Sequence, residues 1–305
     1  MSIGRRAAVG LAAVVVLVLV LVMAVQWHWQ GAPQGGQSLH ATGQETQGAG
    51  SIWQQQVARP SGQPLETDLQ ARYASAKWLS PMIDGLKQRS LAGDAEASYL
   101  LSRIYNECIW SFDPQMLDLS AMPAGQRAAK YRSTAWMGQR CEGIDGNEAA
   151  LAWVRYRRVA ADQGAFAAQV EDVFEGTRGY GEPKPSPADQ KRVIELALSA
   201  QDPYAYLALS RALGYSGDGS MAALSPYPAG TQADSAAWML AACDRGLPCG
   251  ADSPLLHQLC ATGSMCGAGS VAEALGLSMS PDELDQARAR AAWLLRNSGR
   301  RPPPP

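Results

Sequence analysis

Six cysteines carry the clearest chemistry in this chain of 305 residues, because thiols form disulfides, bind metals or act as nucleophiles. They are Cys108, Cys141, Cys243, Cys249, Cys260 and Cys266. The last four form two copies of the pattern Cys-x-x-Gly-x-x-Cys. In each copy the first cysteine falls in a predicted last helical turn, and the glycine can take the left-handed conformation that turns the chain back. This geometry favours bridges 243–249 and 260–266, and it leaves 108–141 as the third pair.

Other arrangements of the same cysteines stay open. Bridges 243–260 and 249–266 would instead tie two helices together. A zinc site would use these four cysteines with His257, but zinc ligands usually come in pairs two to four residues apart, and the gap here is five. No Cys-x-x-Cys redox motif is present, and an even number of cysteines fits complete pairing. The sequence therefore predicts disulfides, with no metal and no cofactor.

Acid–base chemistry has few candidate residues. His257 is the only histidine in the part predicted to fold, and a lone histidine on a helix indicates a structural or surface role. Glu171, Asp172 and Glu175 lie at helical spacing, which is typical of a solvated face. A pair of such carboxylates would also serve glycoside hydrolysis. We predict no catalytic residue, and a cell-wall hydrolase that uses these acids is the alternative function.

One glycine-rich loop and four tryptophans are the remaining candidates for a binding site. Residues 214–220 lack the lysine of a phosphate loop and the alternating carboxylates of a calcium loop, so we expect a turn between helices. Trp136, Trp153, Trp238 and Trp293 fall on predicted helices. Core packing is the expectation for them, and a peptide-binding groove is the alternative.

An apolar run near the N-terminus predicts the compartment. Residues 7–25 are 19 uncharged residues that follow Arg5 and Arg6. As a helix they would span roughly 29 Å, close to the hydrocarbon thickness of a bilayer. The two arginines favour a cytoplasmic N-terminus. The prediction is a single-pass signal anchor in a bacterial inner membrane with the rest of the chain in the periplasm. A signal peptide cleaved near residues 22–24 would instead give a secreted protein.

The amino-acid composition divides the chain into four predicted segments. Residues 1–29 are the cytoplasmic N-terminus and anchor, 30–64 a flexible linker rich in Gln and Gly, and 300–305 a disordered tail rich in Pro. Residues 65–299 form the predicted helical domain. From residue 65 to the end the chain carries 23 basic and 27 acidic side chains, so nucleic acid is a poor partner.

Helical periodicity repeats within that domain. The run from Ala97 to Tyr105 and the run from Ala205 to Leu213 share apolar spacing of one buried stripe, 108 residues apart. Asp94 and Asp202 stand at the equivalent N-cap positions, and a weaker copy covers 166–174. The offsets indicate a period of about 36 residues, which is typical of a helical-hairpin solenoid.

Two further helix starts are marked by a serine followed by a proline. Ser186 and Ser280 each have an acidic residue three positions later, the pattern of a capping box. The helix that follows Ser280 is expected to close the array. Residues 110–147 depart from the repeat pattern, so how they fold against the rest of the domain is not predicted.

A resemblance to a known family rests on two nine-residue segments. Residues 156–164 read Tyr-Arg-Arg-Val-Ala-Ala-Asp-Gln-Gly, and residues 238–246 read Trp-Met-Leu-Ala-Ala-Cys-Asp-Arg-Gly. Both resemble the second-helix signature of Sel-one-like repeats, which are tetratricopeptide-like helical hairpins. The similarity covers 93–110, 148–213 and 232–247. It implies a curved scaffold that binds proteins or peptides, and it supplies no catalytic residue.

The predicted fold class is therefore all-α: an N-terminal transmembrane helix, a flexible linker and an α-helical hairpin repeat domain that forms a short solenoid. The predicted function is a membrane-anchored periplasmic scaffold that binds an envelope protein or peptide and is not an enzyme. Residues 7–25 would contact the lipid bilayer. A structural accessory subunit of an inner-membrane complex is a further alternative.

Overall fold

Helices make up nearly all of the chain that the structure, a computed structural model, describes. The described residues are 67–110, 119–120, 122–175, 185–214 and 220–299. They contain twelve α-helices and one 3-10 turn. Within them no strand forms, apart from an isolated bridge between Gly250 and Ser270. All of these residues belong to one compact unit of the chain.

The transmembrane helix is the point on which the predicted fold class is wrong. That prediction includes a membrane-spanning helix, whereas no helix of the described residues is long and apolar enough to cross a bilayer. The predicted anchor at 7–25, the linker at 30–64 and the tail at 300–305 lie outside the described residues. The all-α part of the predicted class agrees with the structure.

The described α-helices follow one another along the chain as α1 to α12. The first six are α1 Thr67–Ser75, α2 Ser80–Leu91, α3 Ala95–Glu107, α4 Ala124–Arg140, α5 Gly146–Asp162 and α6 Phe166–Glu175. The next two are α7 Pro187–Ala200 and α8 Pro203–Ala212, and the 3-10 turn Ser220–Leu224 follows. The last four are α9 Gln232–Asp244, α10 Pro254–Thr262, α11 Val271–Ser278 and α12 Pro281–Asn297.

The predicted helix starts are confirmed at four positions. The carboxylates of Asp94 and Asp202 accept backbone N–H bonds in the first turns of α3 and α8. Ser186 and Ser280 form capping boxes with the acidic residue three positions later. Each cap satisfies N–H groups that lack a partner within the helix, which contributes about 1 kcal/mol.

The two equivalent apolar stripes are buried as their spacing predicts. All five positions of the first stripe are buried: Ala97, Leu100, Leu101, Ile104 and Tyr105. In the second stripe four positions are buried: Ala205, Ala208, Leu209 and Leu213. Helix α3 packs on α2 and α5, and α8 packs on α6 and α9. The stripes therefore place α3 and α8 at the centre of the packing.

Helix α4 departs from the nearest-neighbour packing of a solenoid, in which each repeat contacts only adjacent repeats. It packs on α10, which lies more than 100 residues further along the chain. Lys130 of α4 donates from Nζ to the carbonyl oxygens of Cys260 at 2.8 Å and Gly263 at 2.6 Å, at the end of α10. A cation at a helix C-terminus is favourable because the unpaired carbonyls carry partial negative charge. A short solenoid would not contain this contact between α4 and α10, so the predicted architecture does not describe the packing of α4.

Three disulfides pair the six cysteines as predicted. They join Cys108 to Cys141, Cys243 to Cys249 and Cys260 to Cys266, with Cα–Cα distances of 5.4, 5.7 and 4.6 Å. The alternative pairing of the last four does not occur, and no described cysteine is left as a zinc ligand. The sequence-based pairing is therefore confirmed.

The two short disulfide loops turn in different ways. Gly246 has φ +104°, the left-handed conformation that the pattern predicts. Gly263 is extended instead, so the prediction is wrong there. A Cβ atom at Gly263 would lie 2.8 Å from the carbonyl oxygen of Leu259, so this glycine is required by a close backbone approach.

The disulfides are expected to contribute unequally to stability. The Cys108–Cys141 loop separates its ends by 33 residues and the Cys260–Cys266 loop by 6. Loop-closure entropy then gives about 3.7 kcal/mol for the long loop and about 2.2 kcal/mol for the short one. Urea unfolding of the full-length double variants C108A/C141A and C260A/C266A should show the larger loss of unfolding free energy in the first. An equal or larger loss in the second would contradict the loop-entropy account.

Candidate functional site

A cleft lies where α3 and α8 meet the segment that leads into α10. We call it the Tyr–Arg cleft after its polar lining, which includes Tyr73, Tyr99, Arg103, Glu107, Glu171, Tyr204 and Arg211. Its apolar lining includes Leu207, Leu247, Pro248, Pro254 and Leu255. The cavity volume is about 40 Å³, room for roughly three waters. Pockets for small molecules are typically about 300–1,000 Å³, so this cleft is not a preformed pocket of that kind.

The guanidinium of Arg103 lies between two tyrosine rings. Its Cζ atom is 4.5 Å from the ring centroid of Tyr73 and 4.0 Å from that of Tyr204. One N–H donates to the side-chain oxygen of Gln70 at 3.1 Å. Each cation–π contact contributes about 0.5–2 kcal/mol and fixes the plane of the group. Among the described residues no carboxylate forms a salt bridge with Arg103.

A buried ion pair lies behind the cleft. Arg140 is fully buried, and its Nε donates to Glu107 Oε1 at 2.5 Å. Its other N–H groups donate to the backbone oxygens of Tyr73 and Ala76. The Tyr73 hydroxyl donates to the second oxygen of Glu107. Both oxygens of the buried carboxylate are therefore hydrogen-bonded, as a buried charge requires.

Two phenols of the cleft stay protonated because of their surroundings. Burial raises the pKa of Tyr73, and the adjacent Glu107 carboxylate raises it further. Burial likewise raises the pKa of Tyr99, together with the negative charge of Glu171. The Tyr99 hydroxyl donates to Glu171 at 3.1 Å. Each phenol thus acts as a hydrogen-bond donor that satisfies a carboxylate.

The acidic cluster predicted as a solvated face is corrected by the structure. Glu171 and Asp172 are buried, with 6% and 9% of their surface exposed. They face Arg157 of α5, which is 1% exposed, and their charges oppose the lowering of its pKa by burial. The Arg157 guanidinium lies 4.8 Å from the ring of Trp153. Helical spacing alone did not indicate this packing of α5 on α6. The side chain of Glu175, the third acid of the cluster, lies outside the described residues.

The other sequence candidates occupy separate places. Trp238 is fully buried and donates to the Pro228 carbonyl at 2.9 Å, as expected for a core residue. Trp153 lines the Tyr–Arg cleft, and Trp293 packs edge-on against Tyr227. Of the loop at 214–220, residues 215–219 lie outside the described residues.

His257 stacks on Trp136 at the contact between α4 and α10. The ring centroids are 4.1 Å apart, and His257 Nδ1 lies 3.1 Å from the Ser133 hydroxyl oxygen. Burial lowers the pKa of His257, and the negative charge of Asp252 opposes that effect. In the described part of the chain no group of three His, Cys, Asp or Glu side chains is placed to hold a metal ion.

Sequence reasoning missed the residues that build the cleft, although two signals were available. The triplet ending at Arg103 is Leu-Ser-Arg, and the same triplet ends at Arg211 in the second stripe. Glu107 and Arg140 each directly precede a cysteine of one predicted disulfide. An acid and a base in those positions are brought together when the cysteines pair.

Comparisons of the chain with protein-family models, with curated proteins and with solved structures find no match. The resemblance to Sel-one-like repeats therefore stays a prediction, and the cleft is interpreted from its own geometry.

Breaking the buried ion pair should be far more costly than breaking an exposed one. Arg140→Met leaves the Glu107 carboxylate buried without its cation, and we expect a loss of about 3–5 kcal/mol in unfolding free energy. Arg288→Ala removes an exposed pair with Asp285 and should cost about 0.5 kcal/mol or less. Urea unfolding of both full-length variants measures the difference. Similar losses in the two variants would contradict the role assigned to Arg140.

The lowered pKa of His257 predicts a stability loss on acidification. The folded state binds the His257 proton less tightly than the unfolded state does. The unfolding free energy is therefore unaffected by His257 above the ordinary pKa of 6.5, and it falls as the pH drops from there through the lower pKa of the folded state. His257→Gln should remove this component. Thermal unfolding between about pH 7.5 and pH 5.5 should therefore show a steeper decline in the parent chain than in the variant. Parallel declines would show that His257 does not contribute.

Proposed function

We propose that the helical domain is a non-enzymatic scaffold that binds a protein or peptide partner through the Tyr–Arg cleft. The observation that supports it is the guanidinium group of Arg103, which lies over the rings of Tyr73 and Tyr204. This group lines the cleft and has no salt-bridge carboxylate among the described residues. Orienting a charged group before binding removes part of the ordering cost of association. Leucines and prolines beside it provide the apolar surface that a peptide side chain buries.

The proposed compartment of this scaffold is oxidising and lies outside the cytoplasm. All six cysteines are paired in disulfides. Disulfides persist in the periplasm and outside the cell, whereas cytosolic thiols are kept reduced. The pairing supports an envelope or secreted location for the domain.

Binding accounts for the cleft better than hydrolysis does. A glycosidase needs two carboxyl groups that flank the scissile bond with space for the sugar. The acids of the cleft, Glu107 and Glu171, already accept hydrogen bonds from Arg140, Tyr73 and Tyr99. The cavity of about 40 Å³ is also too small for a sugar ring.

Site-specific photo-crosslinking of the full-length chain in the cells that produce it tests the scaffold function. A photoreactive phenylalanine replaces Gln258, which lines the cleft, or Tyr131, an exposed residue of α4 that does not. We expect an adduct of defined mass from position 258 and none from position 131, because only the cleft faces the partner.

A charge reversal in the cleft is the control for specificity. Arg211→Glu changes an exposed residue of the lining, so the fold should be retained while the adduct at position 258 disappears. An absent adduct at position 258, or one that persists unchanged in Arg211→Glu, would refute binding through this cleft.

A further inference from the structure

We propose that the Tyr–Arg cleft recognises the carboxylate of a glutamate or aspartate side chain in an acidic partner peptide, held by Arg103 and Arg211. This inference rests on the proposed scaffold function and specifies its ligand. It follows from where the internal repeat places its two equivalent arginines.

The repeat brings the two arginines to the same cleft. Arg103 ends the Leu-Ser-Arg triplet of α3, and Arg211 ends the matching triplet of α8, 108 residues later. Both side chains line the cleft, and both positive charges act on the Tyr99 hydroxyl. A carboxylate that enters the cleft therefore meets two guanidinium groups, which are the preferred partners for a planar two-oxygen anion.

The exposed charge at the mouth of the cleft is the positive charge of Arg211. Arg211 is exposed, and neither it nor Arg103 has a salt-bridge carboxylate in the described part of the chain. The two acids of the lining are buried and already hydrogen-bonded, Glu107 by Arg140 and Tyr73, and Glu171 by Tyr99. Charge complementarity therefore favours an anionic ligand group at the mouth.

The apolar part of the lining favours a glutamate side chain over a phosphoserine, which has only one methylene group to bury. A volume of about 40 Å³ accommodates a carboxylate in place of waters. Leu207 and Leu255 lie in the same lining, where they can cover the methylene groups of a glutamate side chain. An acidic peptide satisfies both the charged and the apolar parts of the cleft.

Fluorescence anisotropy with the full-length protein and defined peptides tests this ligand. The probe is a labelled twelve-residue peptide of alternating Glu and Ala, capped at both ends so that side chains carry the only carboxylates. Matched peptides have Gln or phosphoserine in place of Glu. We expect binding of the Glu peptide that weakens with added salt, and no measurable binding of the Gln peptide, because only the charge differs.

Three substitutions locate the binding. Arg211→Gln should weaken binding of the Glu peptide about tenfold, as expected for loss of a charge-assisted hydrogen bond. Arg103→Gln should weaken it at least as much. Arg192→Gln, at an exposed position of α7 outside the cleft, is the matched control and should leave the dissociation constant within about twofold.

Several results would overturn the inference. Equal binding of the Glu and Gln peptides, tighter binding of the phosphoserine peptide, or equal effects of Arg192→Gln and Arg211→Gln would each do so. If Arg103→Gln fails to fold by circular dichroism, the exposed Arg211→Gln still decides the outcome. Failure of these peptide tests, with the crosslink at position 258 retained, would reject carboxylate recognition and leave the scaffold function standing.

Discussion

The buried pair of Glu107 and Arg140 is the interaction on which the rest of the described domain depends. Moving two charges out of water costs several kcal/mol per ion, so the pair is tolerable only when its geometry is fixed and its remaining groups are hydrogen-bonded. Glu107 ends α3 and Arg140 ends α4, and the next residue of each helix is a cysteine of the same disulfide. The covalent bond thus holds the two helix ends at the separation that the ion pair requires. Arg140 also binds backbone carbonyls at and after the end of α1, so three helices meet at one guanidinium.

The orientation of the cleft follows from that pair through two contacts. Tyr73 donates to Glu107, and the same ring lies 4.5 Å from the guanidinium of Arg103. The other ring on Arg103 belongs to Tyr204, whose helix begins at the N-cap Asp202. The buried ion pair therefore fixes Tyr73, and the N-cap of α8 fixes Tyr204. Together they position the two rings that contact the Arg103 guanidinium. A side chain held in this way loses little rotamer entropy when a ligand arrives.

Local features of this fold were predictable from the sequence, and long-range ones were not. Helix caps, apolar stripes and the two short disulfides depend on residues a few positions apart, which is why Asp94, Ser280 and Cys243 were interpreted correctly. Helix α4 lay in a region without a predicted fold, because its buried side chains include Lys130 and Arg140, and no apolar period marks them. The burial of Glu171 likewise depends on Arg157 of a neighbouring helix. The cleft was missed for the same reason, since its residues come from helices far apart in the chain.

The two arginines that end the Leu-Ser-Arg triplets lie in different environments, which matters for the proposed binding of an anion. In a regular repeat, equivalent arginines would share one environment, but here one is clamped between two rings and the other is exposed. A clamped cation is oriented before an anion arrives, whereas an exposed charge at the rim also accelerates the encounter. The exposed side chain must also lose rotamer entropy on binding, of the order of 2 kcal/mol, which the clamped one has already lost on folding. If the cleft binds a carboxylate as proposed, the clamped Arg103 reaches it at a lower entropy cost than the exposed Arg211 does.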